Sequence, residues 1–470
     1  MMYRRLVSST VVLSLLGLAA PAWADEDSPF EFEGLVQLAP GANIADFHTR
    51  YGTSTIESYV AQNIYRVALP PTIPADTFEA LVATDAEVLH ADRVFPVLDT
   101  NPVGSSQSFF FFDVGQRFGD QPAWGQIDLP DVAPHASATG AGVTVAVVDT
   151  GVAAHPFLAG SAAPGGYNFV ERNANTNDFA DTLDNNQNGV ADEYAGHGTM
   201  VAGLVRRVAP QSSILAIRVM DDEGRCDTFK LVAGIHHAID NGADVINLSL
   251  GTIDPSDVLL AAVNRALAAE IVIAAAAGND DRPDPRRYPA GFNLPGVLAI
   301  AACDEFDVRA PFSNYGAHID LIAPGVEITS TLYNLGFGRG SGTSLGAPLV
   351  AGTLARMRGA RPGASGADLR DLLLDSTDGI AAQNPSYLGQ LGAGRLNVAR
   401  AVDAALGRGD MDCDGFVSVA DIGAFVLALT DPAQYPVAFP QCRIEHADTN
   451  GDGVVTVGDV GTFVGLLIGG

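Results

Sequence analysis

The chain has 470 residues, with 26 Lys and Arg against 55 Asp and Glu, so its formal net charge is −29. This negative balance disfavours nucleic acid and anionic membrane surfaces as partners, because both would repel it. The length suggests about three domains, and an apolar share of 47% is ample for a large buried core.

The first 24 residues have the pattern of a secretory signal peptide. A basic start precedes the apolar run 11–20, and Ala22-Trp23-Ala24 fits an A-x-A cleavage site. The apolar run is too short to span a membrane, and no later stretch is long and apolar without interruption. We therefore expect cleavage after Ala24 and a secreted protein, either extracellular or associated with the cell surface.

Residues 25–105 have the pattern of a small α/β domain. Strands are predicted over 32–38 and 63–69, short helices over 44–51 and 75–83, and an extended run over 88–97. Residues 106–120 are predicted to form a linker. Its four consecutive phenylalanines, 109–112, offer large apolar residues after which a protease could cut.

Residues 121–406 alternate between apolar strands and amphipathic helices. Strands are predicted over 143–148, 214–220, 245–250, 271–277 and 297–302, and helices over 228–240 and 256–269. This alternation favours an α/β fold with a doubly wound, mostly parallel sheet.

Three short segments of this region place polar residues where nucleophilic catalysis needs them. Asp149 follows the strand 143–148, at the end where open α/β sheets collect their sites. His197 opens one predicted helix, and Ser344 opens another, in which Pro348 should be tolerated only near the first turn. A serine nucleophile needs a neighbouring base, and the base needs a group that fixes its tautomer. The sequence therefore predicts a catalytic triad.

The insertion between Asp149 and His197 carries half of a calcium loop. Oxygen-bearing side chains alternate, a glycine comes sixth at Gly189, and a further acid follows, but position twelve is Ala195. We expect a calcium site here, with a metal-free polar turn as the alternative. The expected ligands are Asp184, Asn186, Asn188, Val190 and Asp192.

From Gly409 onward the chain contains two copies of a loop about 38 residues apart. Each copy has oxygen side chains at positions one, three, five and nine, glycine at six, a backbone carbonyl at seven and a carboxylate at twelve, which predicts Ca²⁺ binding. Each copy then enters an apolar helix, 422–429 or 460–467, so we expect a small α-helical domain over 409–470. The expected ligands are Asp410, Asp412, Asp414, Phe416, Ser418 and Asp421, then Asp448, Asn450, Asp452, Val454, Thr456 and Asp459.

The four cysteines fit an exported protein, in which disulfides can form. Cys413 and Cys442 lie in the same small domain, and we expect them to pair. For Cys226 and Cys303 the sequence leaves pairing open, and two buried thiols are the safer expectation.

The region 121–406 resembles the subtilase family of serine proteases. The triad residues occur in the order Asp, His, Ser, which is the subtilisin order. The resemblance rests on the motifs 147–151, 197–199 and 342–344, together with 247–251, 311–316 and 321–325. The chain departs from the family at Leu345-Gly346, where Met-Ala is usual.

The resemblance implies a secreted serine endopeptidase made as a proenzyme, with 25–105 as a prodomain that assists folding and inhibits. An ordinary accessory domain is the alternative. It also implies that Asn279 and the Ser344 backbone N–H hold the oxyanion. Peptide substrates would bind as an added strand between Ser249-Leu250-Gly251 and the segment that starts at Gly224.

Substrate preference is the least constrained part of this interpretation. Asp280 and Asp281 follow Asn279 and would favour basic side chains if they faced the pocket. We expect a broad apolar preference instead.

Residues 409–470 resemble type I dockerin repeats, with Asp at position twelve and only an exiting helix in each copy. In that family the paired helices bind a cohesin module, so the resemblance implies a cohesin-like partner. The competing hypothesis is a binding or assembly protein whose subtilase-like domain no longer cuts. The presence of Asp149, His197, Asn279 and Ser344 argues against it.

Overall fold

A computed structural model of the chain describes residues 30–99, 115–130, 138–185, 189–283, 287–413, 417–440 and 442–468. Several sequence predictions lie outside the described residues: the signal peptide, most of the linker, and the expected ligands Asn186, Asn188, Asp414 and Phe416. None of the described helices is both long and apolar enough to cross a bilayer.

The N-terminal part is a four-stranded antiparallel sheet with two helices and its own hydrophobic core. Its elements are β1 (Glu33–Leu38), α1 (Ile44–Tyr51), β2 (Ser54–Tyr59), β3 (Ile64–Ala68), α2 (Ala75–Val82) and β4 (Val88–Arg93). The sheet order is β2-β3-β1-β4. The sequence predicted every element except β2, whose single buried residue is Glu57, so that the apolar alternation of a strand is absent.

The central part is built on a larger set of alternating strands and helices. These are β5 (Pro96–Asp99), α3 (Gly115–Asp120), α4 (Pro122–Gln126), β6 (Thr144–Asp149), β7 (Tyr167–Asn168), α5 (His197–Val208), β8 (Ser213–Arg218), β9 (Cys226–Asp227), α6 (Thr228–Asp240), β10 (Val245–Leu248), β11 (Leu250–Gly251), α7 (Asp257–Ala268), β12 (Val272–Ala276), β13 (Val297–Cys303), β14 (Leu321–Pro324), β15 (Ile328–Thr331), β16 (Phe337–Gly340), α8 (Thr343–Ala360), α9 (Gly366–Asp375) and α10 (Val398–Leu406). Helix α3 lies inside the range that the sequence assigned to a linker.

Seven of these strands form one parallel sheet, in the order β14-β13-β12-β10-β6-β8-β7. Alternate residues of β6 face opposite cores: Val145 and Val147 pack with α5 and α8, whereas Ala146 and Val148 pack with α6 and α7. A sheet covered by helices on both faces explains why its strands are continuous apolar runs. The doubly wound, mostly parallel sheet expected from the sequence is confirmed.

The C-terminal part contains α11 (Asp421–Thr430), α12 (Tyr435–Ala438) and α13 (Val460–Leu467) around a small core. Phe425 and Phe463 stack at its centre, with ring centroids 3.9 Å apart. Cys413 and Cys442 form a disulfide bond, whereas Cys226 and Cys303 are free, buried thiols.

Candidate active site

Asp149 is the last residue of β6, a strand in the interior of the parallel sheet, and it is completely buried. Its Oδ1 lies 2.8 Å from Nδ1 of His197 and accepts the backbone N–H of Thr150 at 2.7 Å. The carboxyl ends of parallel strands are where open α/β sheets collect functional groups. The structure thus brings together the first two residues of the expected triad.

His197 is the first residue of α5, and a glycine beside it allows the close approach to Asp149. Gly198 donates its backbone N–H to Thr150 Oγ1 at 2.9 Å. A Cβ at position 198 would stand 2.2 Å from the carbonyl oxygen of Gly151 and 3.0 Å from Asp149 Oδ1. Glycine after the histidine is therefore a steric requirement of the Asp149–His197 contact.

Ser344 lies in the first turn of α8, a helix that packs on α5 and against β12 and β13. The helix continues to Ala360 although Pro348 lies within it. Proline has no N–H to donate to the carbonyl four residues earlier, which is that of Ser344. That carbonyl instead accepts the hydroxyl of Ser249 at 2.8 Å. Pro348 is tolerated beyond the first turn because a tertiary hydrogen bond replaces the one it lacks.

The side chain of Ser249 does not face a substrate strand, although the sequence placed this residue among the substrate contacts. It is completely buried, and its Oγ accepts a hydrogen bond from Asn247 Nδ2 at 2.9 Å while donating to the Ser344 carbonyl. Only the backbone of Ser249 remains for a substrate. Its side chain supports the helix of Ser344.

Asn279 follows β12 and is held at the N-terminus of α8. Its Oδ1 accepts the backbone N–H of Thr343 at 2.9 Å and the Thr343 hydroxyl at 3.0 Å. The same hydroxyl accepts the backbone N–H of Gly278 at 3.1 Å. Because these bonds hold the oxygen end of the amide, they fix the orientation of the Nδ2 donor next to the turn that contains Ser344.

The cleft predicted for substrate is occupied by residues of this chain. Strand β5 lies between β11 and β9 and pairs with both in antiparallel fashion. Leu250 pairs with Asp99 and Gly251 with Leu98, whereas Val97 pairs with Cys226. Leu250 and Gly251 thus present a strand edge to β5.

The opposite wall differs from the sequence prediction. Strand β5 pairs with Cys226–Asp227 and not with Gly224. Gly224 has φ +73°, and a Cβ there would stand 2.4 Å from the ring of Tyr194. Gly224 is therefore a turn residue packed against Tyr194.

Asp280 and Asp281, which the sequence raised as possible selectors of basic side chains, each pair with an arginine of this chain. Asp280 pairs with Arg287 at 2.6 Å, and Asp281 pairs with Arg309 at 2.7 Å. Burial alone would raise the pKa of Asp280, but the hydrogen bonds and charge of Arg287 outweigh it and hold the pKa below its usual value. Both carboxylates are already neutralised by arginines.

The insertion before His197 gathers carboxylates, but in a different combination from the one expected. Oxygens of Asp181, Asp192 and Asp222 lie within 4.8 Å of one another. Asp184 instead accepts the backbone N–H of Gly189 at 2.8 Å, outside this group. The sequence analysis did not include Asp181, which precedes the loop pattern that begins at Asp184. It also missed Asp222, because that residue comes from the segment after β8 and no local pattern links it to the insertion.

The two C-terminal loops have matching internal hydrogen bonds. In the first, Asp421 accepts the backbone N–H groups of Asp412 at 3.0 Å and Ser418 at 2.7 Å. In the second, Asp459 accepts those of Asn450 at 3.1 Å and Thr456 at 2.8 Å. The position-twelve carboxylate thus accepts equivalent backbone N–H groups in both loops.

Carboxylates converge in the first loop, where oxygens of Asp410, Asp412 and Asp421 lie within 4.8 Å of one another. In the second loop, Asp448 accepts the backbone N–H of Gly453 at 3.1 Å. Asp452 accepts from Asn450 Nδ2 at 3.1 Å, and the Val454 backbone N–H donates to Asp452 at 2.9 Å.

Comparison with known proteins gives a consistent assignment. The profile of the subtilase family matches residues 140–398. Subtilisin from Bacillus pumilus is 36% identical over 279 residues, covering 56% of this chain and 92% of that protein. Subtilisin BL from Lederbergia lenta is 34% identical over 271 residues, covering 56% of this chain and 93% of that protein. The minor extracellular protease Epr from Bacillus subtilis (strain 168) is 34% identical over 245 residues, but only 35% of its length is covered.

Solved structures agree with this assignment. A protease of Pseudoalteromonas arctica superposes with a TM-score of 0.54 at 30% identity, covering 62% of this chain and 98% of that chain. Fervidolysin from Fervidobacterium pennivorans, a keratinolytic enzyme related to subtilisin, reaches a TM-score of 0.62 at 22% identity, covering 80% and 61%, which shows the shared fold. Because the family match spans more than half of the chain and lies on this sheet, the chain belongs to the subtilase family and is a serine endopeptidase.

Proposed function

We propose that the chain is a secreted proenzyme whose catalytic triad is Asp149, His197 and Ser344, with Asn279 as an oxyanion donor. The observation that carries this proposal is the 2.8 Å contact between Asp149 Oδ1 and His197 Nδ1, both buried. A carboxylate in this position holds the imidazole in the tautomer whose Nε2 accepts a proton. The extracellular description of the relative Epr supports secretion.

The reaction would transfer the acyl half of a peptide to Ser344. His197 Nε2 takes the hydroxyl proton as the oxygen attacks the substrate carbonyl, and then gives that proton to the leaving amine. The Asn279 amide and the Ser344 backbone N–H stabilise the negative charge on the carbonyl oxygen. Water then releases the acyl group through the reverse steps.

The Ser344→Ala variant tests the triad directly. We expect hydrolysis of a peptide substrate to fall to background. The matched control is Ser376→Ala, at the end of α9, where the hydroxyl donates to the Leu372 carbonyl at 2.6 Å; it should keep wild-type turnover. Normal turnover in Ser344→Ala protein would refute the assignment, and an inactive wild-type protein would favour the non-cutting assembly protein.

Residues 25–105 are proposed to be the inhibitory prodomain. Three contacts support this role: β5 fills the cleft, Arg66 pairs with Asp227 at 2.7 Å, and Asp92 accepts the Ser256 hydroxyl at 2.7 Å beside the N-terminus of α7. A segment that pairs with both cleft walls excludes a substrate strand from the same edges.

The prodomain proposal has its own test. Ser344→Ala protein should keep the segment attached, and the isolated segment should inhibit mature enzyme. Removal of the segment in that variant would indicate another protease, and absence of inhibition would favour an ordinary accessory domain.

Calcium is the proposed cofactor, bound by the C-terminal loops and by the insertion. The convergent oxygens of Asp410, Asp412 and Asp421 fit it, since Ca²⁺ takes several oxygen ligands from carboxylates and carbonyls. In the insertion, burial raises the pKa of Asp222 and the charge of Asp181 raises it further. A bound cation would offset the repulsion between these carboxylates and so stabilise the folded insertion.

The C-terminal part is proposed to dock on a cohesin-like module. Its support is a duplicated apolar stripe: Val419, Ile422 and Val426 in the first repeat correspond to Val457, Val460 and Val464 in the second, and all six are exposed. Val419 and Val457 are 79% and 82% exposed. Exposed apolar residues repeated on two helices and on the turns that precede them are typical of an interaction surface.

Surface plasmon resonance against type I cohesin modules, with and without EDTA, tests this docking. A calcium-dependent complex that Val419→Asp with Val457→Asp abolishes is the expected result. Absence of binding to any such module would contradict it.

A further inference from the structure

Asp178 is a buried carboxylate that no proposed catalytic step uses. Its Oδ1 accepts the backbone N–H of Gly196 at 3.0 Å. Its Oδ2 accepts the backbone N–H of Thr199 at 3.1 Å and the Thr199 hydroxyl at 2.7 Å. Both oxygens therefore bind the N-terminus of α5, the helix that begins with His197.

Helix α5 needs this carboxylate because its own N-cap has no side chain. The first N–H groups of a helix have no partner within the helix and are usually capped by a Ser, Thr, Asp or Asn at the N-cap. Here the N-cap is Gly196, with φ 97°. A Cβ at that position would stand 2.8 Å from the ring of Tyr333. Asp178 supplies the missing acceptor from 18 residues earlier in the chain.

The same contact joins α5 to the segment that follows Asp149. Thr199 Oγ1 donates to Asp178 and accepts the backbone N–H of Ala153 at 3.0 Å. A continuous series of hydrogen bonds therefore runs from Asp178 through Thr199 to Ala153, four residues beyond the catalytic carboxylate. This series fixes the relative position of the two elements that carry Asp149 and His197.

The negative charge of Asp178 has a second effect, on the protonation of His197. His197 stands at the positive end of the α5 dipole, which opposes formation of an imidazolium, and the proposed mechanism requires that cation. The Asp178 carboxylate, hydrogen-bonded to this first turn, offsets the opposition. Burial raises the pKa of Asp178 to about 6, against its hydrogen bonds and the charge of Arg218, so the group is ionised at neutral and alkaline pH.

We infer that Asp178 is a positioning residue for the catalytic histidine: it caps α5, ties it to the segment after Asp149, and so sets the Asp149–His197 contact. This inference rests on the proposed triad. Displacement of a catalytic group by about 1 Å can cost on the order of 100-fold in rate. Loss of the cap should therefore act on kcat and leave substrate binding in the cleft largely intact.

The test compares Asp178→Asn with Asp320→Asn in the mature enzyme. Asp320 is a matched control, since it is a buried carboxylate that accepts the Ala299 backbone N–H at 2.9 Å and pairs with Arg370 at 2.6 Å, beside β14. Relative to this control, we expect kcat of Asp178→Asn to fall about 10- to 100-fold. We expect KM to change by less than about twofold, and the low-field Nδ1 proton resonance of His197 to shift. A kcat equal to that of the control would overturn the inference.

A second pair of variants keeps the inference testable if Asp178→Asn does not fold. Thr199→Val removes the hydroxyl that joins Asp178 to Ala153, whereas Thr199→Ser retains it. We expect Thr199→Val to lose kcat and Thr199→Ser to recover most of that loss; equal kcat in both variants would contradict the series. Ser344→Ala, run in parallel, distinguishes failure of the proposed triad from failure of the inference about Asp178. If it still cuts, the proposed triad fails, and if it is inactive while Asp178→Asn is normal, only the present inference fails.

Discussion

Ser249→Ala should destabilise the enzyme through the carbonyl of Ser344. The Ser249 hydroxyl is the group that donates to this carbonyl at 2.8 Å, because Pro348 has no N–H for it. The same hydroxyl accepts from Asn247 Nδ2 at 2.9 Å. A buried polar group left without a partner costs about 1–3 kcal/mol. With two such groups created, we expect a loss of about 2–6 kcal/mol in the free energy of unfolding.

A double-mutant cycle isolates this effect. Pro348→Ala restores a backbone N–H in register with the Ser344 carbonyl, so it should recover about 1 kcal/mol when combined with Ser249→Ala. The helix-propensity change of Pro348→Ala alone cancels in the cycle. All variants are made in a Ser344→Ala background, so that autolysis does not interfere.

Guanidinium unfolding followed by Trp124 fluorescence provides the assay. Trp124 packs in the core on the α5 and α8 face of the sheet, and the chain has only one other tryptophan, Trp23 in the predicted signal peptide. The reasoning is refuted if Ser249→Ala is as stable as its parent. It is equally refuted if Pro348→Ala changes stability by the same amount with and without Ser249.

Three further predictions concern the oxyanion, calcium and pH. Asn279→Ala should lower kcat by about 10²–10³ in peptide hydrolysis assays, because one oxyanion donor is lost. EDTA should unfold residues 409–470 in circular dichroism, while a chain truncated after Gly407 stays active, because no triad residue lies beyond that point. Burial, with the charge of Arg265, lowers the pKa of His236 to about 4 from 6.5. The unfolded chain therefore takes up this proton first, so the stability present above pH 6.5 is lost as pH falls through the folded pKa. Denaturant titrations above pH 6.5 and near pH 4 should show a smaller loss of unfolding free energy for His236→Gln than for the wild-type enzyme.

The sequence predicted best those elements whose pattern is local. Helix α6 has the bounds expected from its periodicity, and β12 is an apolar run buried along its whole length. By contrast, β2 carries mostly exposed polar residues, and its buried Glu57 is held by Arg66 at 3.0 Å. Hydrophobic patterning cannot predict a strand that an ion pair and its sheet neighbours hold in place.

The site residues that the sequence predicted are likewise those with a local pattern. Asp149 and His197 were predictable because a strand end and a helix start are visible in the chain itself. Asp178 and Asp222 were not, because each acts on a segment that is distant in sequence and close only after folding. The ion pair between Asp280 and Arg287 was not predictable either, because the sequence does not show which side chains meet in the folded protein.

The central claim is that His197 activates Ser344 as the nucleophile, and covalent labelling tests it most directly. Diisopropyl fluorophosphate reacts with serines that a neighbouring base has activated, and peptide mapping by mass spectrometry locates the adduct. We expect one adduct on Ser344 in the wild-type enzyme and none in His197→Ala protein over the same time. An adduct on another serine, or labelling of Ser344 at the wild-type rate without His197, would contradict the account.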